Sequence, residues 1–273
     1  MQDVWTRLRT FTQARIGLGR VGSAVPTSRL LEFQLAHAQA RDAVLRVWDV
    51  APIAEGLKVL AEETIHVVSQ VTNRGDFLKR PDLGRKLSPQ SRASLQLAPQ
   101  TANELSFIVS DGLSAKAIDR HFLAFWKIFS PQIQDLPYGP VVLAPYSRVA
   151  LSDEVGEALG AKLSVIFIGE RPGLSSSDSM GIYLTYHPQL GNHDANRNCI
   201  SNIRPPDGLS YEHASAKLNY LIRESLRRQL SGIDLKEDAD VTEERRLTRP
   251  ADFFPPRLPV DLPGDLPGAF LGD

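Results

Sequence analysis

Between residues 104 and 232, apolar runs of strand length alternate with stretches of helical periodicity. That alternation leaves few architectures open, because strands separated by helices fold as an α/β sheet with parallel strands and crossover helices. The longest apolar run, LSVIFIG at 163–169, has strand length and falls far below the roughly 20 residues that cross a bilayer. Upstream, ELSFIVSDGLSAKAIDRHFLAFWKIF predicts a strand at Leu105–Val109, a turn at Asp111–Gly112 and a helix capped by Ser114. Ile118, Phe122, Phe125 and Phe129 then recur on one helical face, and Pro131 ends that helix. GPVVLAPYS (139–147) predicts another strand, VALSDEVGEALG a helix ending near Gly160, and GIYLTYHP a further strand. After the polar stretch GNHDANRNCISNIRPPDG, Ser210 caps a last helix. Its inner face is Ala214, Leu218, Leu221 and Ser225, with Gly232 as its C-terminal cap.

The flanks differ. SRLLEFQLAHAQARDAVLRVW, from Ser28, predicts a long helix with Thr27 or Ser28 as N-cap. TIHVVSQVT (64–72) is strand-like, and RPDLGRKLSPQSRASL is a polar connection with room for a short helix. Beyond Lys236 a charge run is followed by Pro250, Pro255, Pro256, Pro259, Pro263 and Pro267, which no helix or central strand tolerates. The expected division is a mostly helical N-terminal lobe over 1–100, the sheet domain over 101–236, and a flexible charged and proline-rich tail over 237–273. Solvated linker is the simplest account of that tail; docking on a partner through Phe253, Phe254 and Phe270 is the other.

The string GLGRVG, Gly17–Gly22, matches the dinucleotide-binding glycine fingerprint. Its setting does not. TRLRTFTQAR before it is too polar and basic for a buried strand, and Pro26 falls where the phosphate-binding helix should begin. Asp42, about twenty positions on, lies inside a predicted helix. The glycines instead suit an irregular arm with tight backbone paths, whose Arg15 and Arg20 would contact a surface outside this fold.

Other chemistry is sparse. With formal net charge −1, nothing favours nucleic acid or an anionic membrane. The single cysteine, Cys199, excludes an internal disulfide and fits a reducing cytoplasm. The N-terminal MQDVWTRLRT has no apolar signal core. His187, His193, Asp194 and Cys199 have no metal-ligand spacing, so no metal site is expected. The βα turn SDGLSA could hold an anion, but Ser114 as N-cap already explains it. The strongest candidate is IFIGERPGLSSSDSMG, because a buried strand delivers Glu170, Arg171 and the Pro172–Gly173 turn at its carboxyl end, where open α/β sheets bind ligands. Neither a nucleophile elbow, a Walker loop nor HExxH occurs, so no catalytic residue is assigned. The pattern fits a subunit that holds a ligand.

Taken together, TQARIGLGRVGSAVPT, LLEFQLAHAQARDAV, RPDLGRKL, SDGLSAKAI, RVALSDEVGEALGA, IGERPGLSSSDSMG, RNCISNIRPPDGLSYEHA and LSGIDLK resemble the small subunit of ethanolamine ammonia-lyase. The resemblance covers about residues 12–236. It implies a Rossmann-like domain that covers adenosylcobalamin jointly with a large, barrel-bearing subunit, in a hetero-oligomer that also contains other small subunits. That complex converts ethanolamine to acetaldehyde and ammonia by a radical route. The family's corrin contacts fall on Val149 in SRVALSDE, Glu170 in IGERPG and Cys199 in RNCISN. Val149 would pack on the macrocycle, Glu170 would accept from corrin amides, and Cys199 would act through its backbone more than its thiol. DRHFLA, Asp119–Ala124, lacks the glycine of the D-x-H-x-x-G motif, which implies base-on binding without a protein ligand to cobalt. Members packaged in bacterial microcompartments are expected to carry a longer N-terminal extension, so the cytoplasm is the expected location and a microcompartment the open alternative. The competing readings are an NAD(P)-binding oxidoreductase and a structural adaptor without cofactor contact. Glu170→Ala separates the adaptor, which predicts unchanged cofactor affinity.

Overall fold

The computed structural model describes residues 4–12, 14–97 and 104–236. Eight helices are formed among them: α1 (Val4–Leu8), α2 (Thr27–Leu45), α3 (Ala51–Val59), α4 (Arg74–Lys79), α5 (Pro89–Leu97), α6 (Ala115–Phe129), α7 (Leu151–Ala158) and α8 (Tyr211–Arg228). Six strands, β1 (Thr64–His66), β2 (Leu105–Ser110), β3 (Val141–Leu143), β4 (Leu163–Gly169), β5 (Met180–Tyr186) and β6 (Arg197–Ile203), make one sheet in the order β1-β3-β2-β4-β5-β6. The expected tail over 237–273 lies outside the described residues.

The chain is α/β, but the sheet is mixed. Strands β1 to β4 are parallel, whereas β5 and β6 run antiparallel to their neighbours, which corrects the expectation of parallel strands throughout. Connection length is the reason. A parallel neighbour needs a crossover of about a dozen residues or more, usually a helix; residues 170–179 contain no helix and can only turn the chain back.

Every residue of β2 and β4 is buried, as central strands covered on both faces require. Phe107, Val165 and Phe167 face α3, α6 and α8, while Ile108, Ile166 and Ile168 face α5 and α7. The expected inner face of α6 is fully buried, with Phe122 and Phe125 against Phe167 at ring separations of 5.2 and 5.6 Å. Ser114 and Ser210 cap α6 and α8, accepting from the N–H groups of Ala117 and His213. The inner face of α8 is buried as expected.

Several local expectations change. The N-cap of α2 is Pro26, so Thr27 and Ser28 stand inside the helix. The left-handed cap of α8 is Gln229, at φ 58°, and Gly232 lies in the following turn. The strands expected at 64–72 and 139–147 contract to three residues each, and the polar stretch around Cys199 is strand β6. Its side chains beyond Arg197, Ile200 and Ile203 are open to solvent or half-buried, so the apolar run that marks a central strand is missing there.

Gly17, Gly19 and Gly22 all adopt positive φ in an arm that joins α1 to α2. A side chain at Gly17 would overlap the Trp5 ring at 2.4 Å, so the glycine permits that approach. Arg15, expected to contact a surface outside this fold, is exposed and donates to the Leu174 carbonyl at 3.4 Å. Among the described residues, no helix is long and apolar enough to cross a membrane.

Candidate functional site

The chain passes from β2 through α6 to β3 on one side, then returns through α7 to β4 on the other side of β2. Because α6 and α7 lie on opposite faces, the connections leaving the carboxyl ends of β2 and β3 part to opposite sides of the sheet and leave a crevice. Open α/β sheets bind ligands at such switch points. A cleft of about 250 Å³ opens there, lined by Gly112 and Leu113 after β2, Arg148 and Val149 before α7, Ile168 to Arg171 at the end of β4, and Tyr183 of β5.

Glycines let the backbones converge. A Cβ on Gly169 would stand 2.1 Å from the Ser114 carbonyl oxygen, and one on Gly112 would stand 2.4 Å from the Gly169 oxygen. Gly169→Ala is therefore expected to cost about 1–3 kcal/mol of stability through overpacking, read as a lower denaturant midpoint at unchanged slope. The turn between β2 and α6 has little left for an anion. Its Leu113 N–H donates to the Gly169 carbonyl at 2.9 Å and its Ser114 N–H to the Asp111 carbonyl at 2.9 Å.

Asp111 itself is buried and holds the cleft wall together. Its Oδ2 meets Arg74 Nη1 at 2.7 Å, and its Oδ1 accepts from the Tyr146 N–H at 2.7 Å. Burial pushes its carboxyl up to about 6, with Arg74 opposing that rise.

Val149 and Glu170 both line the cleft, and Cys199 stands beside it, directly across from Tyr183 in the β5–β6 register. Three segments that are distant in sequence thus meet on one side of the sheet. The Glu170 carboxylate accepts from the Ser201 hydroxyl and, at 3.2 Å, from the Asn202 N–H, which ties β4 to β6. It reaches them because Gly181 has no side chain; a Cβ there would stand 2.9 Å from Glu170 Oε1. A carboxylate offers about four acceptor positions, so capacity remains on the open side. The Cys199 residue is exposed, yet its thiol is held above the ordinary value, chiefly by local desolvation and also by Glu170. The Tyr183 hydroxyl bonds to it and offsets part of that rise.

Reasoning from the sequence missed Tyr183, Ser201 and Arg148. A tyrosine among the apolar residues of GIYLTY was the one available signal, because its hydroxyl needs a partner. Elsewhere, His121 is buried in α6 with Nδ1 at 2.8 Å from the Tyr211 hydroxyl, while Asp119 binds Arg46 and Trp48. Neither residue lines the cleft. Among the described residues, no group of three or more His, Cys, Asp or Glu side chains is placed to hold a metal ion.

A family model described as Ethanolamine ammonia-lyase light chain matches residues 2–236. The chain is also similar to relatives named ethanolamine ammonia-lyase small subunit. One from Pseudomonas putida KT2440 is 51% identical over 243 residues, covering 87% of this chain and 89% of the relative. One from Pseudomonas fluorescens Pf0-1 is 49% identical over 245 residues, covering 88% and 89%. One from Xanthomonas campestris pv. campestris is 50% identical over 250 residues, with the same coverage.

Proposed function

The chain belongs to the ethanolamine ammonia-lyase light-chain family, and from that premise we propose that its cleft covers one side of an adenosylcobalamin shared with a large subunit. As the small subunit it serves a carbon–nitrogen lyase, which converts ethanolamine to acetaldehyde and ammonia. The observation that carries the cofactor reading is that Val149 and Glu170 line the cleft at the switch point of the sheet, with Cys199 beside it across from Tyr183.

The residues present fit a corrin. Val149 and Ile168 offer an apolar wall, and Glu170 offers a carboxylate with spare acceptor positions toward amide side chains. A cleft of about 250 Å³ is smaller than the ~300–1,000 Å³ that encloses a drug-sized ligand. This chain therefore supplies one wall, and a partner supplies the other. The chemistry the bound cofactor contributes is homolysis of its cobalt–carbon bond, the source of the hydrogen-abstracting radical. What this chain does is grip and exclude. Glu170 orients the macrocycle edge, Val149 and Ile168 keep water from its face, and Cys199, held as a neutral thiol, adds no competing thiolate. The buried position of His121 against Tyr211 supports base-on binding without a protein ligand to cobalt. The order β3-β2-β4, with connections on opposite faces, supports a Rossmann-like reading of the parallel half.

The first hundred residues act as the arm and lobe that contact the large subunit. Among the described residues, eleven of seventeen exposed large hydrophobics lie between Trp5 and Val47, so the apolar surface is concentrated there. In α2 only Ala36 and Ala43 are buried, while Leu30, Leu31, Phe33 and Leu35 are exposed around its circumference. Large apolar side chains left exposed together on one helix mark a surface that a partner covers. Leu31→Glu with Leu35→Glu is expected to abolish co-purification with the large subunit while the far-ultraviolet spectrum stays unchanged; retained co-purification removes α2 from the interface. Further small subunits complete the hetero-oligomer. We place it in the cytoplasm, with a microcompartment as the alternative that cell fractionation distinguishes.

Co-expression with the large subunit tests the function. Corrin absorbance and ammonia release are expected only in the complex. Cofactor retention by the large subunit alone, or NAD(P) binding by the isolated chain, overturns the proposal.

A further inference from the structure

From a cluster of guanidinium groups in and beside the same cleft, we infer that Arg148, Arg85 and Arg171 form a seat for a phosphate-ester monoanion. Arg148 and Arg171 line the cleft. The Arg148 N–H donates to the Gly84 carbonyl at 2.8 Å, which brings the neighbouring Arg85 against it. The guanidiniums of Arg148 and Arg74 lie over the same Phe77 ring, 4.1 and 4.9 Å from its centroid. Burial first, and then the charges of Arg74, Arg85 and Arg171, disfavour the charge on Arg148, with Asp111 opposing them.

Four cations so close need anions. Among the described residues only two carboxylates belong to the cluster: Asp111 is taken by Arg74 and the Tyr146 N–H, and Glu170 is turned toward Ser201 and Asn202. A surplus of two positive charges remains at the cleft mouth. Arg148 uses one Nη2 contact, to the Phe77 carbonyl at 2.9 Å, and its buried Nε has no partner among the described residues. The N-terminal end of α7, two residues past Val149, adds its positive dipole to the same place. Forked guanidiniums converging at a helix start suit a phosphate's several oxygens better than a single carboxylate.

This inference rests on the cofactor reading for its ligand, the phosphodiester of cobalamin's nucleotide loop; free phosphate is the other source of the same chemistry. The test uses the assembled two-subunit complex carrying Arg85→Gln with Arg171→Gln, exposed positions whose loss leaves the fold intact. Cobalamin and cobinamide, the corrinoid without the nucleotide loop and its phosphate, are titrated by corrin absorbance. The variant is expected to bind cobalamin about tenfold more weakly, with cobinamide unchanged. Equal weakening of both corrinoids, or of neither, overturns the seat. Weakened subunit assembly with unchanged corrinoid affinity also overturns it, because the arginines then meet carboxylates of the large subunit. If the unmodified complex binds no corrinoid, the cofactor reading falls by itself. Inorganic phosphate then decides the seat: thermal stabilisation lost in the variant supports it, and stabilisation equal in both, or absent, overturns it.

Discussion

Asp153→Ala is expected to lower the unfolding free energy by about 3–5 kcal/mol, because removing one partner of a buried ion pair strands the other charge. Asp153 Oδ1 and Oδ2 accept from Arg197 Nη1 and Nη2 at 2.8 and 2.6 Å, and the two side chains are 3% and 2% exposed. Arg197 keeps Thr185 Oγ1 at 2.9 Å, the Asn192 carbonyl at 3.3 Å and, at 3.8 Å, the solvent-exposed Asp194 carboxylate, which together do not replace a buried bidentate partner. The pair also has a functional position. It fastens the first residue of β6 to α7, and those two elements carry Cys199 and the approach to Val149. Urea unfolding is the measurement, with Asp153→Leu combined with Arg197→Met as control. An apolar pair of similar volume is expected to recover most of the loss. A single variant as stable as the unmodified protein means the pair is not buried as described.

Glu170→Ala is expected to weaken cofactor binding to the assembled enzyme by about 1–3 kcal/mol, the cost of losing a charged acceptor in a partly desolvated site. Part of that loss comes from freeing Ser201 and the Asn202 N–H, since the carboxylate holds β6 against β4. Glu170→Gln separates the two contributions. Its amide oxygen still accepts from one donor, so β6 stays near its place while the negative charge is gone. Corrin titration of the complex gives the affinities, and hydrogen exchange at Asn202 reports the anchoring of β6. Unchanged affinity in both variants supports the structural adaptor and removes Glu170 from the cofactor site.

Much of the site was legible in the sequence because its strongest signals are local. The run LSVIFIG leading into GERPG placed Glu170 at a strand end, and the strand is formed as expected. The failed setting of GLGRVG was equally local, and those glycines lie in an irregular arm. Cys199 was less legible, because β6 alternates poorly and has none of the continuous apolar character of β4. Arg148 gave no warning and Tyr183 only its polar hydroxyl in an apolar run, since each matters through a partner distant in the chain: Cys199 for the tyrosine, Phe77 and Gly84 for the arginine.

Family membership, the caps at Ser114 and Ser210 and the buried faces of α6 and α8 follow from residue order alone. Each depends on contacts within one helical turn or one strand, which periodicity records. Strand order, the reversal at β5 and β6, and the ion pairs Arg74–Asp111 and Arg197–Asp153, 37 and 44 residues apart, were decided only by the folded chain. Such partners are selected by connection length, sheet twist and the need to pair buried charges, and no local pattern encodes which distant segment will satisfy them.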